Sequence, residues 1–70
     1  MAEQDRHPAI NAVLKFFAYQ HLPPHLQAVS KDFHDLACVV ADRAPLNAET
    51  TIALRKLLEA KDAAVRAVLP

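Results

Sequence analysis

The stretch Asn47-Ala48-Glu49-Thr50-Thr51-Ile52-Ala53-Leu54-Arg55-Lys56-Leu57-Leu58-Glu59-Ala60-Lys61-Asp62-Ala63-Ala64-Val65-Arg66-Ala67-Val68 reads as one long helix. Asn47 is a capping residue, and Glu49 places negative charge in the first turn, where the helix dipole favours it. Leu54, Leu57, Leu58, Val65 and Val68 share one broad face, with Lys61 among them. Ile52, Ala53, Ala60, Ala63, Ala64 and Ala67 lie beyond that face, and small residues there allow another helix to approach closely.

Upstream, Ala44-Pro45-Leu46-Asn47 is a turn. A first hairpin helix is predicted over 24–43 with a break near residue 30. In that reading Pro24 to Val29 form a brief helical turn. Ser30 then caps a second piece, Lys31 to Arg43, with Asp32 in its first turn. Phe33, Leu36, Ala37 and Val40 are its expected buried stripe. His21-Leu22-Pro23-Pro24-His25 is a stiff connector, because proline fixes its own φ and restricts the residue before it. A short helix is expected over 8–20, opened by Pro8 in a first-turn position. Ile10, Val13, Leu14 and Phe17 form its apolar stripe, and one of Phe16 and Phe17 must point away from it. Residues 1–7 read as a flexible tail with no character of a signal peptide.

Composition agrees with an all-α class: a short N-terminal helix followed by an antiparallel helical hairpin. Fourteen alanines and nine leucines favour helix, and there is no glycine. Phosphate-cradling glycine loops are therefore excluded. Seventy residues form one domain with a marginal core. Cys38 is the only cysteine, so no internal disulfide can staple it, and a lone thiol suits a reducing compartment. Oligomerisation is the expected remedy. Eight basic and eight acidic residues give zero net charge, which speaks against DNA binding or a polybasic membrane patch. No apolar run approaches the roughly 18 residues that span a bilayer.

Each candidate constellation has a plain reading beside the functional one. His21 with His25, and His34 with Cys38, are four apart, but two ligands do not close a structural zinc site, so no metal or cofactor is expected. Cys38 reads as a small buried hydrophobe. Asp32 with Asp35, and Glu59 with Asp62, are spaced as carboxylate pairs but suit a solvated surface, so no enzyme is expected. Arg55, Lys56 and Arg66 are either helix-surface pairing partners, of Glu59 and Asp62, or anion-recognition groups at a subunit interface. Lys31 lies where helix N–H groups also favour an anion. Tyr19 either closes the core edge or offers a ring on which a base stacks.

Phe17-Ala18-Tyr19, His21-Leu22-Pro23, Phe33 to Ala37, and Pro45 followed by Glu49, Thr51, Ala53-Leu54, Lys56-Leu57 and Glu59-Ala60 resemble a known family. It is the helical-hairpin domain of phage anti-CBASS and anti-Thoeris proteins, the cyclic-nucleotide sponges. The resemblance runs from about Phe17 to Ala67. It implies a small non-enzymatic protein, assembled as a homo-oligomer, commonly a hexamer. It implies a cyclic di- or trinucleotide held between subunits in the host cytoplasm, away from the immune effector it would activate. Tyr19 matches the family's base-stacking aromatic. Lys31 is the implied phosphate partner, with Ser30 or His34 as alternatives, and Lys56 matches a recurrent lysine. Arg55 and the Lys61-Asp62 region depart from many members. A different class of function is a protein-interaction module without a small-molecule ligand, docking through Ile10, Val13, Leu14 and Phe17. A helical DNA-binding regulator is the third class, which zero net charge disfavours.

Overall fold

The computed structural model describes residues 7–69 and is all-helical. The six residues before them, expected as tail, lie outside the described part. Helix α1 spans Pro8–Leu14 and tightens into a 3-10 turn, Lys15–Phe17; α2 spans Pro24–Arg43 and α3 spans Ala48–Ala67. Helices α2 and α3 pack against each other, and α1 packs against both.

His7, expected in the tail, instead opens α1. Its Nδ1 accepts from the Ala9 N–H at 3.0 Å, and Pro8 takes the position where a missing N–H costs nothing. The helix expected to reach residue 20 stops sooner. Over Lys15–Phe17 the chain winds to three residues per turn, which places Phe17 in line with Leu14. Ile10, Val13, Leu14 and Phe17 are all buried, in one cluster with Ala37 and Leu54. That stripe is the molecule's own core and is not a surface for a protein partner. Phe16 points outward and is 66% exposed.

Tyr19 and Gln20 belong to the connector. The Leu22 N–H donates to the Tyr19 carbonyl at 3.0 Å, closing a turn. Gln27, on the first coils of α2, donates from Nε2 to the carbonyls of Leu22 at 2.7 Å and Gln20 at 3.3 Å. The connector is thereby tied to α2. Pro23 is extended at the cap and Pro24 is the first helical residue, so the two prolines start this helix.

No break occurs at residue 30: α2 runs unbroken from Pro24 to Arg43, and Ser30 caps nothing. Once prolines have set the start, a serine in the interior costs little helix propensity and does not stop the helix. Ser30 is wholly buried and its Oγ has no hydrogen-bond partner. The buried face of α2 is Leu26, Ser30 and Ala37, flanked by Phe33, Val40 and Ala41. Leu36, expected in the stripe, is 50% exposed, because the real stripe is rotated about a quarter-turn from it. Cys38 is half-buried.

Ala44 is extended before Pro45 and ends α2, as the residue preceding proline must leave the helical region. Asn47 caps α3 as expected, its Oδ1 accepting from the Thr50 N–H at 3.0 Å. The buried Thr50 hydroxyl donates to the Pro45 carbonyl and locks the hairpin turn. Leu54 is fully buried, Leu57, Leu58 and Val65 are half-buried, and Val68, expected as the last helical residue, lies just past the end of α3, exposed. No described residue has a positive φ, in keeping with the absence of glycine. No helix among the described residues is long and apolar enough to cross a membrane.

Two stability outcomes follow from this packing. Leu54→Ala removes a fully buried side chain and lowers unfolding free energy by about 2–5 kcal/mol in urea melts. Ser30→Ala removes an unpartnered buried hydroxyl and raises the melting midpoint, since such a group costs about 1–3 kcal/mol. A lowered midpoint in Ser30→Ala contradicts that assignment.

Candidate functional site

Three of the expected site residues meet on one side of the molecule. The connector holds Tyr19 over α2, where its ring stands edge-on to His34 with centroids 5.1 Å apart and planes at 65°. Lys31 lies one turn before His34 on the same helix. Its Nζ bonds Asp35 Oδ2 at 2.7 Å, while His34 Nδ1 lies 3.1 Å from Asp35 Oδ1. The Cys38 sulfur is 3.7 Å from His34 Nε2. Asp35 therefore joins Lys31 and His34. The hydrogen bond from Lys31, then that from His34, holds the Asp35 carboxyl below the usual aspartate value. The same bond and the Asp35 charge hold the Lys31 ammonium above its ordinary value. Ser30 lies beneath this patch, fully buried, and does not reach its surface.

A second, open hollow forms where the connector meets the C-terminal half of α3. Its volume is about 430 Å³. Lys15, His21, Lys61 and Arg66 bring basic groups to it, against one carboxylate, Asp62; Phe16, Leu22 and Val65 give it apolar walls. Lys61 is the unusual member. Its side chain is only 14% exposed and its Nζ bonds Asp62 Oδ1 at 2.9 Å. That pairing uses the carboxylate expected to serve Arg66. Three fixed cations against one anion leave the cavity positive in a chain of zero net charge. Low-dielectric walls strengthen the attraction such a cluster exerts on an anion.

The remaining expected residues separate. Arg66 lines the cavity. Arg55 lies further up α3, in a smaller groove of about 340 Å³ against α1. Lys56 is on the outward face, loosely paired with Glu59 at 3.9 Å. Arg55, Lys56 and Arg66 thus do not form one cluster. Lys15, Phe16, His21 and Lys61 were missed as site residues. Only Lys61 carried a signal in the sequence, as a lysine inside an apolar helical face. Among the described residues no group of three His, Cys, Asp or Glu side chains is placed to hold a metal ion.

No family model, curated protein or solved structure matches this chain.

The Lys31–Asp35 pair gives a pH outcome of known sign. A carboxyl depressed on folding adds stability above its unfolded value, and loses it as pH falls through the folded value. A raised ammonium adds stability below its unfolded value, and loses it as pH rises through the folded one. Nuclear magnetic resonance titration of Lys31→Met should place the Asp35 midpoint at higher pH than in the unaltered chain. An unmoved midpoint would show that Lys31 does not set it.

Proposed function

We propose that this chain is a non-enzymatic capture protein for cyclic oligonucleotide second messengers, cyclic dinucleotides or trinucleotides. In this reading it is a phage anti-defence sponge. It acts in the host cytoplasm, withholding the signal of a CBASS-type immune system from its effector. The observation that carries the reading is the cavity: Lys15, Lys61 and Arg66 converge beside an exposed phenylalanine ring, in a chain with no overall positive charge. Such a set suits phosphates and a flat base. A neutral exterior spares the protein from clinging to bulk nucleic acid. The resemblance of Phe17 to Ala67 to the hairpin sponges gives the ligand its cyclic character.

The Tyr19–His34–Lys31 patch supports the same ligand class from another side. An aromatic platform stands there next to an ammonium group. The patch is open, so a ligand is enclosed only when a second protomer covers it. The molecule is 16 Å across in its thinnest direction, less than two helix diameters, so each helix keeps an outward face. Phe16, Leu36 and Ile52 stand exposed on those faces, and Ala53, Ala60, Ala63 and Ala67 leave α3 open to close approach. We therefore include a homo-oligomer, a hexamer by resemblance, in the proposal, with ligand held at its subunit interfaces.

Thermal unfolding against a panel of cyclic di- and trinucleotides, with linear dinucleotides as controls, tests the reading. A ligand at about 100 times its dissociation constant should add about 2.7 kcal/mol of stability. Tyr19→Ala should lose the stabilisation by a ligand seated on the patch, and Lys61→Gln that of one in the cavity, with helicity unchanged. No stabilisation by any cyclic ligand, or equal stabilisation by the linear controls, contradicts it.

A further inference from the structure

One strip of α3 floors both the cavity and the groove beside it. Thr51, Arg55 and Leu58 line the groove; Lys61, Val65 and Arg66 line the cavity. From Thr51 to Arg66 the strip covers about 22 Å at the helical rise of 1.5 Å per residue. Phe16 is a wall of both hollows. The two are therefore successive compartments of one trough, with an exposed aromatic ring between them.

Their chemistries differ. The cavity is cationic. The groove is walled by Ala9, Ala12, Val13 and Leu58, and its polar atoms come from Thr51 and Arg55. Glu59, the carboxylate within helical reach of Arg55, is turned to Lys56. No carboxylate among the described residues is paired with the Arg55 guanidinium. A mostly apolar groove with an uncommitted guanidinium among its lining residues suits a base better than a phosphate.

We propose that the groove is the base subsite of the trough and that Arg55 selects guanine there. This rests on the cyclic-oligonucleotide reading above. The phosphate lies among Lys15, Lys61 and Arg66, the base enters the groove against Phe16, and Arg55 meets the base edge. Guanine presents two acceptors, O6 and N7, that match the two parallel N–H groups of the guanidinium fork. Adenine presents N7 beside the N6 amino group, a donor, so the same fork meets one acceptor and one repulsive partner. The Thr51 hydroxyl both donates and accepts, and leaves the choice to Arg55.

Calorimetric titration of the full chain with cyclic di-GMP and with cyclic di-AMP tests the subsite. The unaltered protein should bind cyclic di-GMP about tenfold more tightly, the scale of one bidentate base contact. Arg55→Ala should erase that preference while leaving cyclic di-AMP affinity within about twofold, and Lys61→Gln should weaken both ligands together. Arg55 is exposed on a helix, so circular dichroism of its alanine variant should be unchanged. Equal affinities, a preference for cyclic di-AMP, a preference that survives Arg55→Ala, or failure to bind cyclic di-GMP would each overturn the guanine subsite. Those outcomes leave the capture function standing if another cyclic nucleotide stabilises the fold. No stabilisation by any cyclic nucleotide overturns both.

Discussion

The burial of Phe17 is the constraint on which the rest of the structure depends. Its ring is wholly enclosed, in one cluster with Leu54 of α3 and Ala37 of α2. Full burial of such a side chain contributes about 1.5–3 kcal/mol, a large share for a chain with so few buried residues. To bring Phe17 into line with Leu14, the chain tightens to a 3-10 turn. Phe16, its neighbour in sequence, faces outward, and the helix ends with that turn. The connector then leaves in the direction that puts Lys15, His21 and Leu22 against Lys61, Val65 and Arg66. The turn that carries Phe17 into the core thus also begins the connector that lines the hollow.

Features encoded locally were legible in the sequence. Asn47 caps α3 because its side chain reaches an N–H three residues on, and Pro45 ends α2 by restricting Ala44. The apolar stripe of Ile10 to Phe17 was legible for the same reason. The break at Ser30 was not real, because a capping residue caps only where the backbone has already left the helix. Leu36 was misplaced because two overlapping stripes run along α2, and the elements packed against it choose between them. The Tyr19–His34 contact joins residues fifteen apart, and the cavity joins two segments some forty residues apart. Spacing along a helix carries no information about such meetings. Lys61 was the exception, visible as a charge set into an apolar face.

Charge in this molecule is balanced in sum and uneven in place. On α2 the Lys31 ammonium is paired with the Asp35 carboxylate. Solvent screens an exposed pair of this kind, so it adds little to stability. In the cavity the single carboxylate serves a half-buried lysine and leaves two further cations unbalanced. The excess of positive charge therefore lies at the cavity, while on the patch around Tyr19 the Lys31 charge is met by Asp35.

The proposed capture of a cyclic nucleotide requires such a ligand to touch a defined part of the chain. Titration of the nitrogen-15-labelled protein with cyclic di-GMP, followed by amide chemical shifts, reads that directly. Shifts concentrated on Lys15 to Leu22 and Lys61 to Arg66, with Arg55 moving alongside, are the predicted result. Shifts confined to the outward face of α3 around Lys56, or no shifts with cyclic di-GMP or any other cyclic nucleotide, would contradict it.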